Sequence, residues 1–430
     1  MTFLQTRRCW TFGFLKQLFV VFTVTGMFSI MIFFYNLSKP LRCPEHLSSP
    51  AYAAIDYVNW KNTGISQKIM EKPLEELAKF QASPSKGKSI ERSCWPQRHI
   101  FFLKTHKTAS STIMNILFRF GESHNLTFAL PSNNRTQFFY SNYFKTYFVE
   151  GFKTKIQPKY DIMCHHMRFD LTEVEKVMPK DTFYFTILRN PVSLMESTFS
   201  YYRFYDIFIN ALSLEDYLTN PYKYYKNKSS YSNFGKNLMA FDFGLNPDEP
   251  ETPKHFELAQ KTIETMFNLV LITEYFDESL ILLKDALCWG FDDILSFPLN
   301  SRNTTSRNIL SEETQEKIKA WNQLDWQLYI YFNRTFWEKV DKFGQNRMQS
   351  EVKELRRRRA EQSEICLEGL VDPKVVKDDS IKPFQAGEDK ILGYNLKSGL
   401  QKDQELSCRQ LITPELQYTA LLYNMQNQKN

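Results

Sequence analysis

The chain has 430 residues, 43% of them hydrophobic and 15% aromatic, which is enough apolar mass for a large core and excludes disorder as the default state. Its formal net charge of +6 is too small an excess to argue for a nucleic-acid partner, although it suits a protein that handles an anionic substrate. No CxxC or HExxH spacing occurs, so structural zinc and metalloprotease chemistry find no support and no metal is expected.

In chain order, the first predicted element is a membrane anchor. From Gln17 to Ser38 no residue is charged, and residues 18–37 are mostly Phe, Val, Ile, Leu and Met. As a helix, such a run spans a hydrocarbon core of roughly 30 Å. Arg7, Arg8 and Lys16 precede it, which favours a cytosolic tail over residues 1–17. A cleaved signal peptide would have a shorter apolar region ending in small residues, whereas Phe33, Phe34 and Tyr35 close this one. Everything after Ser38 is then expected in the secretory lumen. Sequons at Asn125, Asn134, Asn227, Asn303 and Asn333 agree with that, as does an even set of lumenal cysteines: Cys43, Cys94, Cys164, Cys288, Cys366 and Cys408. Their pairing is not readable from sequence.

Residues 38–94, with Pro, Ser and Lys and little periodicity, read as a stem, with a short helix over 73–80. A catalytic domain is expected over 95–345 and a helical and irregular extension over 346–430. Four apolar, β-prone runs fall at 99–104, 160–165, 182–189 and 269–273, with helical spacing at 112–120 and 171–177 between them. Strands alternating with helices predict an α/β fold with a central parallel sheet. Residues 311–364 read as one long helix, capped by Ser311 and carrying Trp321, Leu324, Leu328, Tyr331 and Phe332 on one face. The run Arg356–Arg359 reads more readily as a solvated face than as a binding patch. Residues 390–397 show no decisive period.

Two segments carry chemistry. In the first, Lys104-Thr105-His106-Lys107-Thr108-Ala109-Ser110-Ser111-Thr112 follows the first strand and leads into an apolar helix. A strand, a tight loop and a helix N-terminus present unpaired amides to an anion. Lys107 would add fixed charge, and Thr108, Ser110, Ser111 and Thr112 small hydroxyl donors. The loop lacks the glycines of a nucleoside-triphosphate P-loop, so an ordinary Ser/Thr-rich helix cap is the plain alternative. The second segment ends a strand with Arg189-Asn190-Pro191 and carries Ser197 eight residues beyond the arginine. The guanidinium fork suits phosphate oxygens, and a helix opened by Pro191 would return Ser197 to that end.

FLKTHKTASST, CHHMRF, ILRNP, EYFDESL and ILGYNL together resemble the galactose 3-O-sulfotransferase family of Golgi sulfotransferases, from about Arg98 to Tyr423. SHNLT and VMPKDTFYFTILRNPV look nearer its glycoprotein-acting type 2 branch than the cerebroside-acting one. The resemblance implies a sulfotransferase-type, P-loop-like fold and a type II Golgi membrane protein. It also implies 3′-phosphoadenylyl sulfate as donor and the 3-hydroxyl of a terminal β-galactose on a glycoprotein or glycolipid glycan as acceptor, galactosylceramide being the alternative. Lys107 would match the 5′-phosphosulfate contact, with Lys104 in support, and Thr108, Ser110, Ser111 and Thr112 the rest of that loop. Arg189 and Ser197 would match the 3′-phosphate ligands. His165 departs from the family pattern, which has asparagine there; His166 remains the matching histidine and the first candidate for general base, with His106 the second. A lumenal kinase and a non-catalytic glycan-binding protein are the rival classes. The first suffers from the missing glycines and the second from the intact Lys107, Arg189, Ser197 and His166. Tyr201, Tyr202, Tyr205 and Trp321 are candidates to stack on a sugar, although core packing is their commoner use.

Overall fold

The computed structural model describes residues 94–152, 158–226, 231–250, 252–302 and 308–427. The expected anchor, nearly all of the stem, Cys43, Asn227 and Asn303 lie outside the described residues.

Four strands build the centre: β1 (Ile100–Leu103), β2 (Ile162–Met163), β3 (Phe183–Leu188) and β4 (Leu269–Ile272). All neighbours are parallel and the spatial order is β2-β1-β3-β4. β1 and β4 are buried along their whole length, as expected of a sheet covered on both faces. Helices α1 (Ser110–Ser123), α2 (Leu171–Val177), α3 (Pro191–Tyr201) and the five-residue α4 (Leu238–Asp242) connect the strands. α5 (Pro253–Met266) leads into β4 and α6 (Phe276–Leu287) follows it. The expected α/β architecture, a central parallel sheet flanked by helices, is present.

The strand order has a consequence for function. From β1 the chain moves outward to β2, and from β3 it moves the other way to β4. The carboxyl ends of β1 and β3 therefore border the crevice at which open α/β sheets bind ligands.

The helix expected over 311–364 is three helices: α7 (Glu312–Trp321), α8 (Gln323–Phe343) and α9 (Gln345–Cys366). The first break occurs because buried Asn322 leaves helical dihedrals and its side chain accepts the amide of Asn237 at 2.8 Å. The second falls at Gly344, whose φ of 101° is costly for any residue with a Cβ. Ser311 caps α7 as read, accepting from the Thr314 amide. The arginine run is paired, Arg356 and Arg359 with Asp277, Arg357 with Glu354 and Glu361, and Arg358 with Glu354 and Asp292.

The C-terminal part carries order that residues 390–397 did not advertise. β5 (Leu367–Val371) and β6 (Gly393–Leu396) pair antiparallel, and α10 (Lys402–Ile412) and α11 (Glu415–Asn427) lie against α1. The Asn115 amide of α1 donates to the carbonyls of Gln410 and Thr413. Disulfides Cys94–Cys288 and Cys366–Cys408 tie the start of the described chain to the end of α6, and the end of α9 to α10. Cys164 is a buried free thiol.

Candidate active site

A cleft of about 430 Å³ opens at the carboxyl end of the sheet. The chain leaving β1 supplies Lys104, His106 and Lys107 to its wall, the chain after β2 supplies His166, β3 leads to Arg189, and β4 to Thr273. Lys107 and Arg189 thus share one cleft, and the Arg189 guanidinium donates to the Lys107 carbonyl at 2.8 Å. Ser197 lines the same cleft from α3, which Asn190 caps by accepting the Val192 amide.

The loop from Lys104 to Ala109 is shaped from within. The Thr105 hydroxyl donates to the Ile187 carbonyl at 2.6 Å, and the Thr105 carbonyl accepts from the Ser110 hydroxyl at 2.7 Å and from Thr108 at 3.1 Å. Ser111 donates to Glu415 at 2.8 Å, and Thr112 accepts the Leu299 amide at 3.1 Å. The four hydroxyls expected as free donors are therefore engaged in holding the loop and its neighbours. The backbone of the same loop is open instead. Lys107 and Ala109 sit in the left-handed region, at φ 57° and 60°. Among the described residues, the amides from Lys107 to Ser111 have no protein acceptor. Successive open amides ahead of a helix make an anion cradle.

Four cations, Lys104, Lys107, Arg189 and Arg302, face two carboxylates, Asp389 and Glu415, around the cleft. Burial pulls the Lys107 ammonium from its ordinary pKa down to about 7; Asp389 opposes that shift, and Arg189, Arg302 and Lys104 reinforce it. Its Nζ lies 3.5 Å from the centre of the Tyr201 ring. Lys104 is held differently, with Nζ 2.9 Å from Glu415 and 3.1 Å from Nε2 of His166. Burial alone would raise the Glu415 carboxyl, but Lys104 and Ser111 outweigh it and hold the group below its usual range.

The two candidate histidines stack face to face, with ring centroids 3.7 Å apart. His166 donates from Nδ1 to the Lys104 carbonyl at 2.9 Å, so its Nε2 lone pair faces the Lys104 ammonium. Burial, then His106 and Lys104, push its pKa well below the ordinary histidine value. His106 has its Nδ1 3.0 Å from the carboxylate of Asp242, while its buried Nε2 has no hydrogen-bond partner among the described residues. His165 stays out of the cleft wall: it packs on Phe118 and Phe138, its Nε2 3.0 Å from the Thr419 hydroxyl, so the departure from the family pattern lies behind the site.

Tyr201, Tyr202 and Tyr205 line the cleft, whereas Trp321 is buried and donates its indole N–H to the Gly235 carbonyl at 2.6 Å. Asn125 and Asn134 are exposed, and Asn333 is half-buried within α8.

Sequence reasoning missed Asp242, Arg302, Asp389 and Glu415. Arg302 joins Glu196 of α3 to Asp389, and Gly387 at φ +60° lets its segment press on α3, where an added Cβ would sit 2.3 Å from the Ser200 carbonyl. None lies in a recognisable local pattern; only the packing of distant segments brings Arg302, Asp389 and Glu415 to the cleft and Asp242 behind His106.

The Galactose-3-O-sulfotransferase family model matches residues 63–426. Galactose-3-O-sulfotransferase 2 of Mus musculus is 45% identical over 339 residues, covering 77% of this chain and 86% of the relative. The Homo sapiens protein of the same name is 45% identical over 337 residues, covering 77% and 84%. Galactosylceramide sulfotransferase of Homo sapiens is 41% identical over 356 residues, covering 80% and 81%. With the match spanning most of the sequence and the whole cleft within it, the chain belongs to the galactose-3-O-sulfotransferase family.

Proposed function

We propose that the protein transfers a sulfuryl group from 3′-phosphoadenylyl sulfate to the 3-hydroxyl of a terminal β-galactose on glycoprotein or glycolipid glycans. The observation that carries the reading is the joint presence of Lys107 and Arg189 in one cleft at the switch point of the sheet, bridged by a 2.8 Å hydrogen bond. In this reading the amides from Lys107 to Ser111 and the Lys107 ammonium bind the 5′-phosphosulfate. Arg189 and Ser197 bind the 3′-phosphate and set the donor's direction. Thr108, Ser110, Ser111 and Thr112 hold the loop's shape. Lys107 is the cation placed to meet charge developing on the leaving phosphate oxygen, and Lys104 adds a fixed charge behind it.

The proton of the sugar hydroxyl needs an acceptor. His106 takes that role here, because its Nε2 has no partner while that of His166 is committed to Lys104. His166 then holds Lys104 in place. The acceptor oxygen bonds sulfur as the sulfur–oxygen bond to the 5′-phosphate breaks, its electron pair leaving on the phosphate. Tyr205, exposed at the cleft, offers a ring face on which galactose can lie, whereas the Tyr201 ring carries Lys107 and the Tyr202 ring stacks on Phe234.

The same proposal includes a type II Golgi membrane protein: a cytosolic tail over 1–17, an anchor over 18–37, a stem over 38–94, a catalytic domain over 95–345 and an extension over 346–430, with glycans on exposed sequons such as Asn125 and Asn134. The Cys94–Cys288 and Cys366–Cys408 disulfides support a lumenal site, since such bonds persist in oxidising compartments.

The test offers the full-length chain sulfur-labelled donor with a panel of β-galactosides, one of them blocked at O3. Transfer to every sugar except the blocked one is expected; equal labelling of the blocked sugar overturns the regiochemistry, and ATP replacing the donor overturns the reaction class.

A further inference from the structure

Asp242 ends α4 with no exposed surface, and its carboxylate gathers donors from three directions. The His106 backbone amide donates at 2.8 Å, the Tyr140 hydroxyl at 2.7 Å, and the His106 ring nitrogen Nδ1 lies 3.0 Å from each oxygen. A carboxylate only accepts, so Nδ1 of His106 carries the ring proton and Nε2 the lone pair. Tyr140 is kept a donor, because burial and then Asp242 raise its pKa well above the ordinary phenol value, and Asn233 donates to its oxygen at 3.1 Å.

The carboxylate is itself well supported. The amides of Met239 and Ala240, in the first turn of α4, donate to Asp325 at 3.0 and 2.8 Å, and the Asp242 carbonyl accepts the Phe169 amide at 3.0 Å. An unpaired buried ring nitrogen is not by itself distinctive, since Nδ1 of His165 behind the site lacks a partner too; what sets His106 apart is that it lines the cleft. His106 satisfies one and lines the cleft, with its other nitrogen unpaired. The titratable and charged groups facing its ring are Asp242, Tyr140, His166 in the stack, Tyr202 edge-on at 6.4 Å, and Lys104 behind His166, with apolar Phe234 edge-on at 5.4 Å.

We propose that Asp242, with Tyr140 bonded to it, is the positioning residue that fixes His106 in the Nδ1–H tautomer and makes Nε2 the proton acceptor of the transfer. The inference rests on the sulfuryl-transfer reading above. The acceptor hydroxyl gives its proton to Nε2 as its oxygen bonds sulfur, and the bond from sulfur to the 5′-phosphate oxygen breaks with its electrons on that oxygen. The imidazolium that forms is stabilised by the Asp242 carboxylate and later returns its proton to water.

The test compares full-length wild type with Asp242→Asn, Asp242→Glu and Tyr140→Phe, measuring kcat and KM across pH and the affinity for adenosine 3′,5′-bisphosphate. Asn can present an N–H to Nδ1 and move the ring proton to Nε2. For Asp242→Asn, kcat is expected to fall by at least about 100-fold with KM and nucleotide affinity within about threefold of wild type, and Asp242→Glu to recover part of the loss. Tyr140→Phe strips one donor from the carboxylate, leaving more charge for the imidazolium, so the acid limb of its kcat profile shifts to higher pH. An Asp242→Asn kcat within threefold of wild type overturns the inference. Where that variant fails to fold, an unmoved acid limb in Tyr140→Phe overturns it. Absence of any transfer by wild type overturns the sulfuryl-transfer reading, and this inference with it.

Discussion

Raising the pH should weaken donor binding through Lys107. Burial holds the free protein's Lys107 pKa at about 7, far below a solvated ammonium. A phosphosulfate beside it favours the charged form, so the complex binds a proton that the free protein lacks once the pH passes about 7. Affinity must therefore fall as pH rises, approaching roughly tenfold per pH unit, or about twentyfold between pH 7.5 and 9, where phosphates no longer titrate. Calorimetry with adenosine 3′,5′-bisphosphate in buffers of different ionisation enthalpy reads both the affinity and the proton taken up, which should approach one per site near pH 8.5. Lys107→Arg, whose guanidinium does not titrate here, should flatten the slope. Equal affinity at pH 7.5 and 9 with no proton uptake would refute the placement of Lys107 against the anion.

Arg189→Ala should weaken nucleotide binding by about 10- to 100-fold, the worth of a charge-assisted hydrogen bond; Lys107→Ala should weaken it comparably and lower turnover as well, so titration and initial rates separate the two. Glu415→Gln leaves the buried Lys104 without its counter-ion and should cost about 3 kcal/mol in denaturant unfolding. Because the folded Glu415 pKa is lowered, its contribution is present above the ordinary carboxyl range and is lost as pH falls through the folded value, a loss the variant should not show. Gly387→Ala forces a Cβ into left-handed backbone against the Ser200 carbonyl and should cost about 1–3 kcal/mol, read as a lowered Tm.

The parallel sheet was legible because buried strands announce themselves as short apolar runs, and all four of its strands lie within the runs read from sequence, whereas β5 and β6 do not. The placement of Lys107 and Arg189 was legible because each closely follows a strand, and that of Ser197 because it lies within the helix that Pro191 opens at the same end of the sheet. The first break of the long helix was not, since Asn322 is drawn out of helical geometry by the distant amide of Asn237. Asp242, Asp389 and Glu415 were illegible for the same reason: their partners are distant in sequence, 136 residues apart in the pairing of Asp242 with His106 and 304 in that of Glu415 with Ser111. The loop hydroxyls looked like ligand donors in sequence, but Thr108 and Ser110 are turned inward by the Thr105 carbonyl.

The most direct measurement is a structure of the protein with adenosine 3′,5′-bisphosphate bound. The 5′-phosphate should lie on the amides from Lys107 to Ser111 and the 3′-phosphate within hydrogen-bond reach of Arg189 and Ser197. A nucleotide bound outside this cleft, or one whose two phosphates occupy the opposite ends, would contradict the account.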